Sequence, residues 1–480
     1  MKNVRWLTVA SWTCLLFGVI ANIVTLWMPM CRDAGGFLAF GARIAEGAEF
    51  YRDLFDRKAP LLFYELSALF RIVGPSFWWA RIFMLAHTTI TALILWAISR
   101  RLGWSDPWKV VLVAAFLVLV PVFLGFEVLT EVPVMLAATL PVWMLVAEVP
   151  SSRLLRSFLV GVLIGVATTS KQVGILLVPA VVIWWLVDDR HGRRGLGSSV
   201  GNLTLMGIGV LLPLAVVSMH FWAIGSFDEM VYAVWTSNLY HYPGFPFRAW
   251  LYELARNELA RALVLWVPAA VAAPFVAWRF VRFGQRRVEA LLLLVVFFSW
   301  VPSIKRPYEH YMIAFLPHLV LLGVSVWRGW TTAYRLRWLI ALAAFTLIPT
   351  VRHYVLYTVP PLAERLLGKQ LATAERIRSY LGPGEPLYVL GSEPKYYFLT
   401  GHYSDDPVYF ILPENAHMRP PDKIRHILAT PGLRYVVVAE GVLHPVQQVT
   451  DEVRARSHEV FCEQIGRLER VCLYRLPDGR

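Results

Sequence analysis

The chain has 480 residues, 57% of them hydrophobic and only 16% charged, with a mean hydropathy of +0.53. Soluble domains run at roughly half apolar and a quarter charged, so this composition excludes an ordinary soluble protein and calls for a bilayer around much of the chain. The net charge of +13 does not point to nucleic acid: Lys and Arg cluster between apolar runs, as topology signals and anionic-lipid contacts do, and no nucleic-acid module signature is present.

Lys2 and Arg5 precede an apolar stretch over 7–27. It is too long for a signal-peptide core and lacks a small-residue cleavage site, so it reads as a retained transmembrane helix. Cys14 inside it reads as a small buried hydrophobe. A long loop over 29–76 follows, in which the spacing of Phe37, Phe40 and Ile44, and of Leu61, Phe63, Leu66 and Leu69, predicts short helices lying on the membrane. Further spans are predicted at 77–99, 110–126, 131–149, 157–169, 173–188, 200–222, 262–278, 289–304, 312–327 and 338–352, about eleven in all. Lys171 interrupts one long apolar region at 157–188, and a single broken helix there would change the parity.

Charge sets the expected orientation. With the N-terminus inside, the cytoplasmic loops hold Arg100, Arg101 and Lys109, then Arg153 and Arg156, then Arg190, Arg193 and Arg194. Arg279, Arg282, Arg286 and Arg287 follow, then Arg328, Arg335 and Arg337. The opposite loops include Gly125–Thr130, with no Lys or Arg, and a long segment around Phe227–Glu258 with few, and an odd span count leaves the C-terminus outside.

Polarity rises abruptly after about Tyr354. Helix-like runs (Leu371–Tyr380, Lys423–Ala429, Val446–Arg456) alternate with strand-like runs (Leu387–Leu390, Arg434–Val438), which predicts a small extracytoplasmic α/β domain over 354–480 after a membrane domain over 1–353. Cys462 and Cys472 lie in two more strand-like runs, Glu459–Ile465 and Arg470–Leu476, joined by a Gly-containing turn. A hairpin disulfide and two separate thiols both fit, because the register is open.

Ionisable groups near membrane depth are costly and need a reason. Asp33, just beyond the first helix, suits both an N-cap and a base held at the membrane surface. In Asp53-Leu54-Phe55-Asp56-Arg57-Lys58-Ala59-Pro60-Leu61, Arg57 and Lys58 could neutralise a lipid phosphate while Asp56 orients them or a sugar hydroxyl; a solvated interfacial charge cluster is the plainer alternative. Glu127 and Glu131 are four residues apart, as on one helical face, and Lys171 follows Ser170 at the next outer turn. Lys305-Arg306-Pro307-Tyr308-Glu309-His310-Tyr311 is a compact basic and aromatic cluster, its tyrosines equally suited to an interfacial belt. Trp79, Trp235, Tyr240, Tyr242 and Trp250 suit stacking on sugar rings or membrane anchoring. In the predicted topology all the charged clusters face one side. No Walker A sequence, dinucleotide fingerprint, His-Glu-x-x-His or CxxC pair occurs, and the spans show no two equal halves.

Taken in order, these segments resemble the GT-C superfamily of membrane glycosyltransferases, most closely the branch of protein O-mannosyltransferases, lipid A aminoarabinose transferases and rhizobial galacturonosyltransferases. The resemblance runs through Asp33, Asp56-Arg57-Lys58-Ala59-Pro60, Arg81, Thr130-Glu131, Ser170-Lys171-Gln172 and Arg306-Pro307-Tyr308-Glu309-His310-Tyr311. It continues in the tail through Val389-Leu390-Gly391-Ser392-Glu393-Pro394 and Tyr397-Phe398-Leu399-Thr400-Gly401. It implies an inverting transfer of a sugar from a polyprenyl-phosphate donor to a hydroxyl on an envelope glycan, lipid or protein, outside the cytoplasm of a bacterial plasma membrane. Asp33 is the implied base. Arg57, Lys58, Lys171, Lys305, Arg306, His310 and Tyr311 are the implied donor and phosphate contacts, and Asp56, Glu127 and Glu131 the orienting acids. Ala34 follows Asp33 where other members have a second acid, so no metal ligand set or cofactor is assigned, although a divalent cation stays open. A lipid or solute transporter, and a noncatalytic protein that binds lipid-linked sugar, are the rival classes.

Overall fold

Backbone N–H and C=O groups in hydrocarbon must find partners within the chain, so long apolar runs become helices. The computed structural model describes residues 2–192, 196–240, 244, 246–329, 360–391, 393–409, 418, 420–440, 446–465 and 469–477. The first nine helices are α1 (Lys2–Val24), α2 (Arg32–Ala45), α3 (Leu61–Val73), α4 (Phe77–Arg101), α5 (Asp106–Val122), α6 (Glu131–Ala147), α7 (Arg153–Ser170), α8 (Leu177–His191) and α9 (Leu196–Ala223). Shorter turns lead on to the helices Leu263–Phe283, Arg287–Trp300 and Leu316–Gly329.

The protein is a multi-pass, mostly α-helical membrane protein. Among the described residues, five stretches are long and apolar enough to cross a bilayer: Phe77–Arg101, Arg153–Ser170, Gln172–His191, Ser199–Ala223 and Arg287–Ile304. A sixth is added if Ser11–Trp27 and Arg32–Ala45, bent by 66°, form one broken span. That is fewer than the eleven expected, and the reason is helix length. The helices α5 and α6 have 17 residues and Leu316–Gly329 has 14. They reach only about 21–26 Å, short of the roughly 30 Å hydrocarbon core. The apolar runs around them continue, but the chain leaves the α-helix to form the turn before Glu131 and the 3₁₀ segment Glu309–Ala314. The helix Leu263–Phe283 covers the expected 262–278 but is not among the five stretches, and 338–352 lies outside the described residues. The ambiguous region at 157–188 is two helices, broken after Lys171 by the 3₁₀ turn Gln172–Leu176.

The basic helix ends meet one another. Arg153 pairs with Asp189, Arg287 pairs with Asp188, and Trp184 Nε1 donates to the Arg287 carbonyl at 2.8 Å. Glycines set the closeness of α7 and α9. A Cβ at Gly161 would lie 2.1 Å from the Met206 carbonyl oxygen, and one at Gly209 would lie 2.2 Å from that of Phe158. Backbone cannot yield as a flexible side chain can, so small residues here allow the two helices to touch. Gly161→Leu is expected to destabilise the protein by about 1–3 kcal/mol or more, read as a lower midpoint of thermal unfolding in detergent. An unchanged midpoint would contradict this packing account.

The expected helices α2 and α3 both form, and α3 keeps an exposed face that includes Ile72. The helix α2 is buried on nearly every side, because its glycine-rich face admits close neighbours. Phe37 and Phe40 pack edge-on against Phe63 of α3, and Phe40 stacks on Tyr409 of the tail at 5.2 Å. The tail therefore covers this loop. The Phe55 N–H donates to the Pro407 carbonyl at 2.7 Å, and Gln370 of helix Pro360–Arg378 bonds both the N–H and the carbonyl of Met30 at 2.9 and 3.2 Å.

The tail holds a four-stranded sheet of β1 (Tyr388–Gly391), β2 (Tyr435–Glu440), β3 (His458–Gln464) and β4 (Arg470–Arg475), in the order β1-β2-β4-β3. The β1–β2 pair is parallel, with Val389 opposite Val437, and the other two pairs are antiparallel. The register settles the cysteine question: Cys462 lies directly opposite Cys472, and the two form a disulfide.

Candidate active site

Arg81 of α4 organises the end of the first helix. That end leaves carbonyls without intrahelical partners, and a cation is the natural group to collect them. The guanidinium is fully buried and donates to the carbonyls of Thr25, Leu26, Met28 and Pro29 at 2.7–3.1 Å. It also bonds Glu127 Oε1 at 3.0 Å and lies 4.2 Å above the Phe77 ring. This fixes the stretch from which α2 starts. Removing one partner of such a buried pair costs about 3–5 kcal/mol, so Arg81 and Glu127 act as one structural unit.

Asp33 is not the N-cap of α2. Cys31 is the cap, its Sγ accepting from the Ala34 N–H at 3.5 Å, and Asp33 sits inside the first turn. Its carboxylate is thereby free of a capping bond and pairs instead with Arg32 Nε at 3.3 Å. The other cation acting on it is Lys58.

Asp33 faces a cavity of about 500 Å³. Asp56, Arg57 and Lys58 line it, as do Lys171, Lys305, His310 and Tyr311. Of the eleven residues singled out in the sequence, these eight line the cavity, whereas Glu131 and Arg306 do not and Glu127 belongs to a different cavity. Glu131 pairs with Lys171, and its Oε1 lies 3.6 Å from His310 Nε2. Lys171 also sits 4.0 Å above the Tyr311 ring. Arg306 donates to the Tyr308 hydroxyl at 2.9 Å and does not line the cavity. Glu127 and Glu131 do not share a helical face: the helix begins only at Glu131, so the four-residue spacing carries no common direction. Glu127 lines a second cavity of about 370 Å³, together with Glu309, Glu393 and Lys395.

The loop carrying Arg57 and Lys58 is pinned through its backbone. Asp56 Oδ1 accepts the Lys58 N–H at 2.8 Å, and the Tyr51 hydroxyl donates to the Lys58 carbonyl at 2.7 Å. The Arg57 carbonyl accepts from Gln172 Nε2 and Asn238 Nδ2, each at 2.9 Å, and Lys305 Nζ reaches the Asn238 carbonyl at 3.1 Å. Asn238 and Arg32 were not among the expected site residues. Asn238 sits with Ser237 in an otherwise apolar and aromatic stretch, and Arg32 adjoins the predicted base, so each had a weak local signal. Much of the remaining lining is apolar, with Val173, Ile175, Leu176, Val234, Trp235, Leu239, Val301 and Pro302.

Burial pushes the Asp56 carboxyl up from its usual 3.8 to about 6, against the pull of Lys58 and the Lys58 N–H. A carboxyl raised on folding binds protons more tightly in the native state. Its contribution to stability is therefore complete below about pH 4 and is lost as pH rises through 6. Asp56→Asn, which keeps an oxygen for the Lys58 N–H, is expected to raise the thermal midpoint at pH 8, with the gain vanishing near pH 4. A gain of equal size at both pH values would contradict it. Burial also holds His310 down, to about 4, against the pull of Glu131, so at neutral pH it offers an uncharged imidazole.

Five cations (Arg32, Arg57, Lys58, Lys171 and Lys305) line the cavity with two carboxylates, Asp33 and Asp56. That set fits an anion better than a protein-held divalent cation, which needs several converging oxygens. Among the described residues, one group has the ligand spacing of a potential metal site: Glu459, Cys462 and Cys472, with ligand atoms within 4.8 Å of one another. Its two sulfurs are joined in the tail disulfide, whereas a metal ligand is a thiolate, so binding there requires the bridge to open.

Residues 57–222 match the dolichyl-phosphate-mannose-protein mannosyltransferase family. No curated protein sequence matches the chain. Among solved structures, the chain is similar to ArnT from Cupriavidus metallidurans in the apo state, at 13% identity and a TM-score of 0.65 over 100% of this chain and 99% of that one. It is equally similar to ArnT from the same organism bound to undecaprenyl phosphate, at 12% identity and 0.64 over 98% of each. The archaeal oligosaccharyltransferase AglB from Archaeoglobus fulgidus, in complex with an inhibitory peptide and a dolichol-phosphate, matches at 11% and 0.53 over 89% of this chain and 69% of that one. The chain shares its fold with ArnT and AglB.

Proposed function

We propose that the protein is an inverting glycosyltransferase that moves a sugar from a polyprenyl-phosphate donor to a hydroxyl acceptor at the outer face of a bacterial plasma membrane. The observation that carries this reading is the shared cavity: one carboxylate at a helix start, a group of cations, and apolar lining residues. An amphipathic lipid phosphate needs that combination, with the phosphate on Lys58, Arg57 and Lys171 and the first isoprenes along Val173, Leu176 and Val234. Asp33 takes the acceptor O–H proton as the acceptor oxygen attacks the anomeric carbon. The bond from that carbon to the phosphate oxygen breaks on the opposite side, and the cations stabilise the departing polyprenyl phosphate. His310 and Tyr311 face the sugar as uncharged hydrogen-bonding groups, while Glu131 holds Lys171 in place.

In this reading residues 1–353 form the membrane catalytic domain and 354–480 an outer α/β domain, with the N-terminus cytoplasmic. The structures to which the chain is similar include one with undecaprenyl phosphate and one with a dolichol-phosphate, which supports a lipid-phosphate donor. A transporter would place ionisable groups at mid-span. Here the acid–base groups sit at helix ends: Asp33 at the start of α2, Glu131 at the start of α6 and Lys171 just after α7. The test is transfer of labelled sugar by purified protein from a panel of undecaprenyl-phosphate-linked hexoses, pentoses and uronic acids to an envelope extract. Transfer from at least one donor is expected. Binding of the carriers with no transfer from any of them would overturn the enzyme assignment in favour of a noncatalytic binder.

A further inference from the structure

The tail's helix Lys395–Thr400 meets α2 at unusually short range. A Cβ at Gly35 would lie 2.2 Å from Lys395 Cβ, so only glycine permits the approach, two residues beyond Asp33. At that contact Lys395 is almost wholly buried. Its Nζ bonds Glu393 Oε2 and Glu469 Oε2, both at 2.9 Å, and the Tyr396 hydroxyl donates to Glu469 Oε1 at 2.9 Å. Glu469 sits at the foot of β4 and Glu393 follows β1, so one ammonium gathers two ends of the tail sheet against α2.

A buried charge must be matched, and an unmatched one seeks the nearest partner. Glu393 acts on two cations, Lys395 and Arg32, and also feels Glu469. Arg32 in turn acts on two carboxylates, Asp33 and Glu393. Asp33 itself meets Arg32, Lys58 and His310. The four groups therefore form an alternating chain, Lys395, Glu393, Arg32 and Asp33. If Lys395 satisfies Glu393, Arg32 is left to Asp33. Without Lys395, Glu393 becomes a buried anion, and Arg32 is the other cation that acts on it.

We infer that Lys395 is a positioning residue for Asp33, acting through this competition for Arg32 and so tying the orientation of the base to the docking of the tail. This rests on the assignment of Asp33 as the base. Lys395→Met is expected to lower kcat for sugar transfer roughly 10–100-fold, the effect of a misplaced reacting group, with affinity for undecaprenyl phosphate unchanged within about twofold. Glu393→Gln/Lys395→Met removes the competing anion as well and is expected to recover most of the lost rate. A merely structural role for Lys395 would leave the double variant as impaired as the single one, and that result would overturn the inference. The same comparison serves if Lys395→Met alone does not fold: a folded double variant with near wild-type kcat supports the inference, and a folded but inactive one contradicts it. A structure of Lys395→Met provides a readout independent of turnover. Arg32 is expected to turn from Asp33 to Glu393, and its staying on Asp33 would contradict the competition. Absence of transfer by the wild-type protein would instead count against the proposed function.

Discussion

Replacing Asp33 with asparagine is expected to slow sugar transfer by roughly 10²–10⁴-fold, the range that positioned general acid–base groups contribute. Asparagine has the same shape and still fits the first turn of α2, where Cys31 and not residue 33 supplies the capping bond. The variant should therefore fold, and its thermal midpoint should stay near wild type. Affinity for undecaprenyl phosphate should hold or tighten slightly, because the substitution removes a negative charge from a cavity that receives a phosphate. A loss of rate without loss of carrier binding separates a base from a binding group. Transfer at the wild-type rate would mean that the base lies elsewhere.

Lys58→Ala is expected to act on the other side of that division. Lys58 is the cation whose charge reaches Asp33, Asp56, Glu131 and Lys171 together. A phosphate that bonds its ammonium would lose about 1.5–3 kcal/mol on truncation, roughly 10–100-fold in affinity, measured by titration of purified protein with undecaprenyl phosphate. The backbone of residue 58 would stay in place, because Asp56 and Tyr51 hold its N–H and carbonyl rather than its side chain. Lys58→Arg keeps the charge and should recover part of the affinity. An unchanged affinity in Lys58→Ala would remove Lys58 from the phosphate site.

Much of the architecture was legible in the sequence because it rests on local periodicity. Apolar runs marked α4, α7, α8 and α9, and alternation marked the strands from Leu387, Arg434, Glu459 and Arg470 onward. The span count was not legible, since an apolar run does not reveal where the chain leaves the helix to build a site, as it does before Glu131 and over Glu309–Ala314. The same limit explains the cap. Asp33 and Cys31 are two residues apart, and only the observed start of α2 decides which of them caps it.

For the cavity, charge was the visible signal, and it singled out Asp33, Asp56, Arg57, Lys58, Lys171, Lys305 and His310, which line one space. What pairs with what was hidden. The Glu131–Lys171 and Arg81–Glu127 bonds join residues 40 and 46 positions apart, and no spacing rule reaches that far. Uncharged anchors were hidden too. Asn238 and Gln172 matter through a single carbonyl, that of Arg57, and a backbone acceptor has no signature in sequence. The disulfide lay between these cases: both strands were visible, but their register was not.

The most direct test is a structure of the full chain in a lipid nanodisc with undecaprenyl phosphate. The phosphate is expected within hydrogen-bond distance of Lys58, on the cation-lined side of the 500 Å³ cavity, with the isoprenoid chain along Val173, Leu176 and Val234 and the Asp33 carboxylate facing the phosphate across the space a sugar would fill. A phosphate bound outside this cavity, or one with no open path to Asp33, would contradict the account.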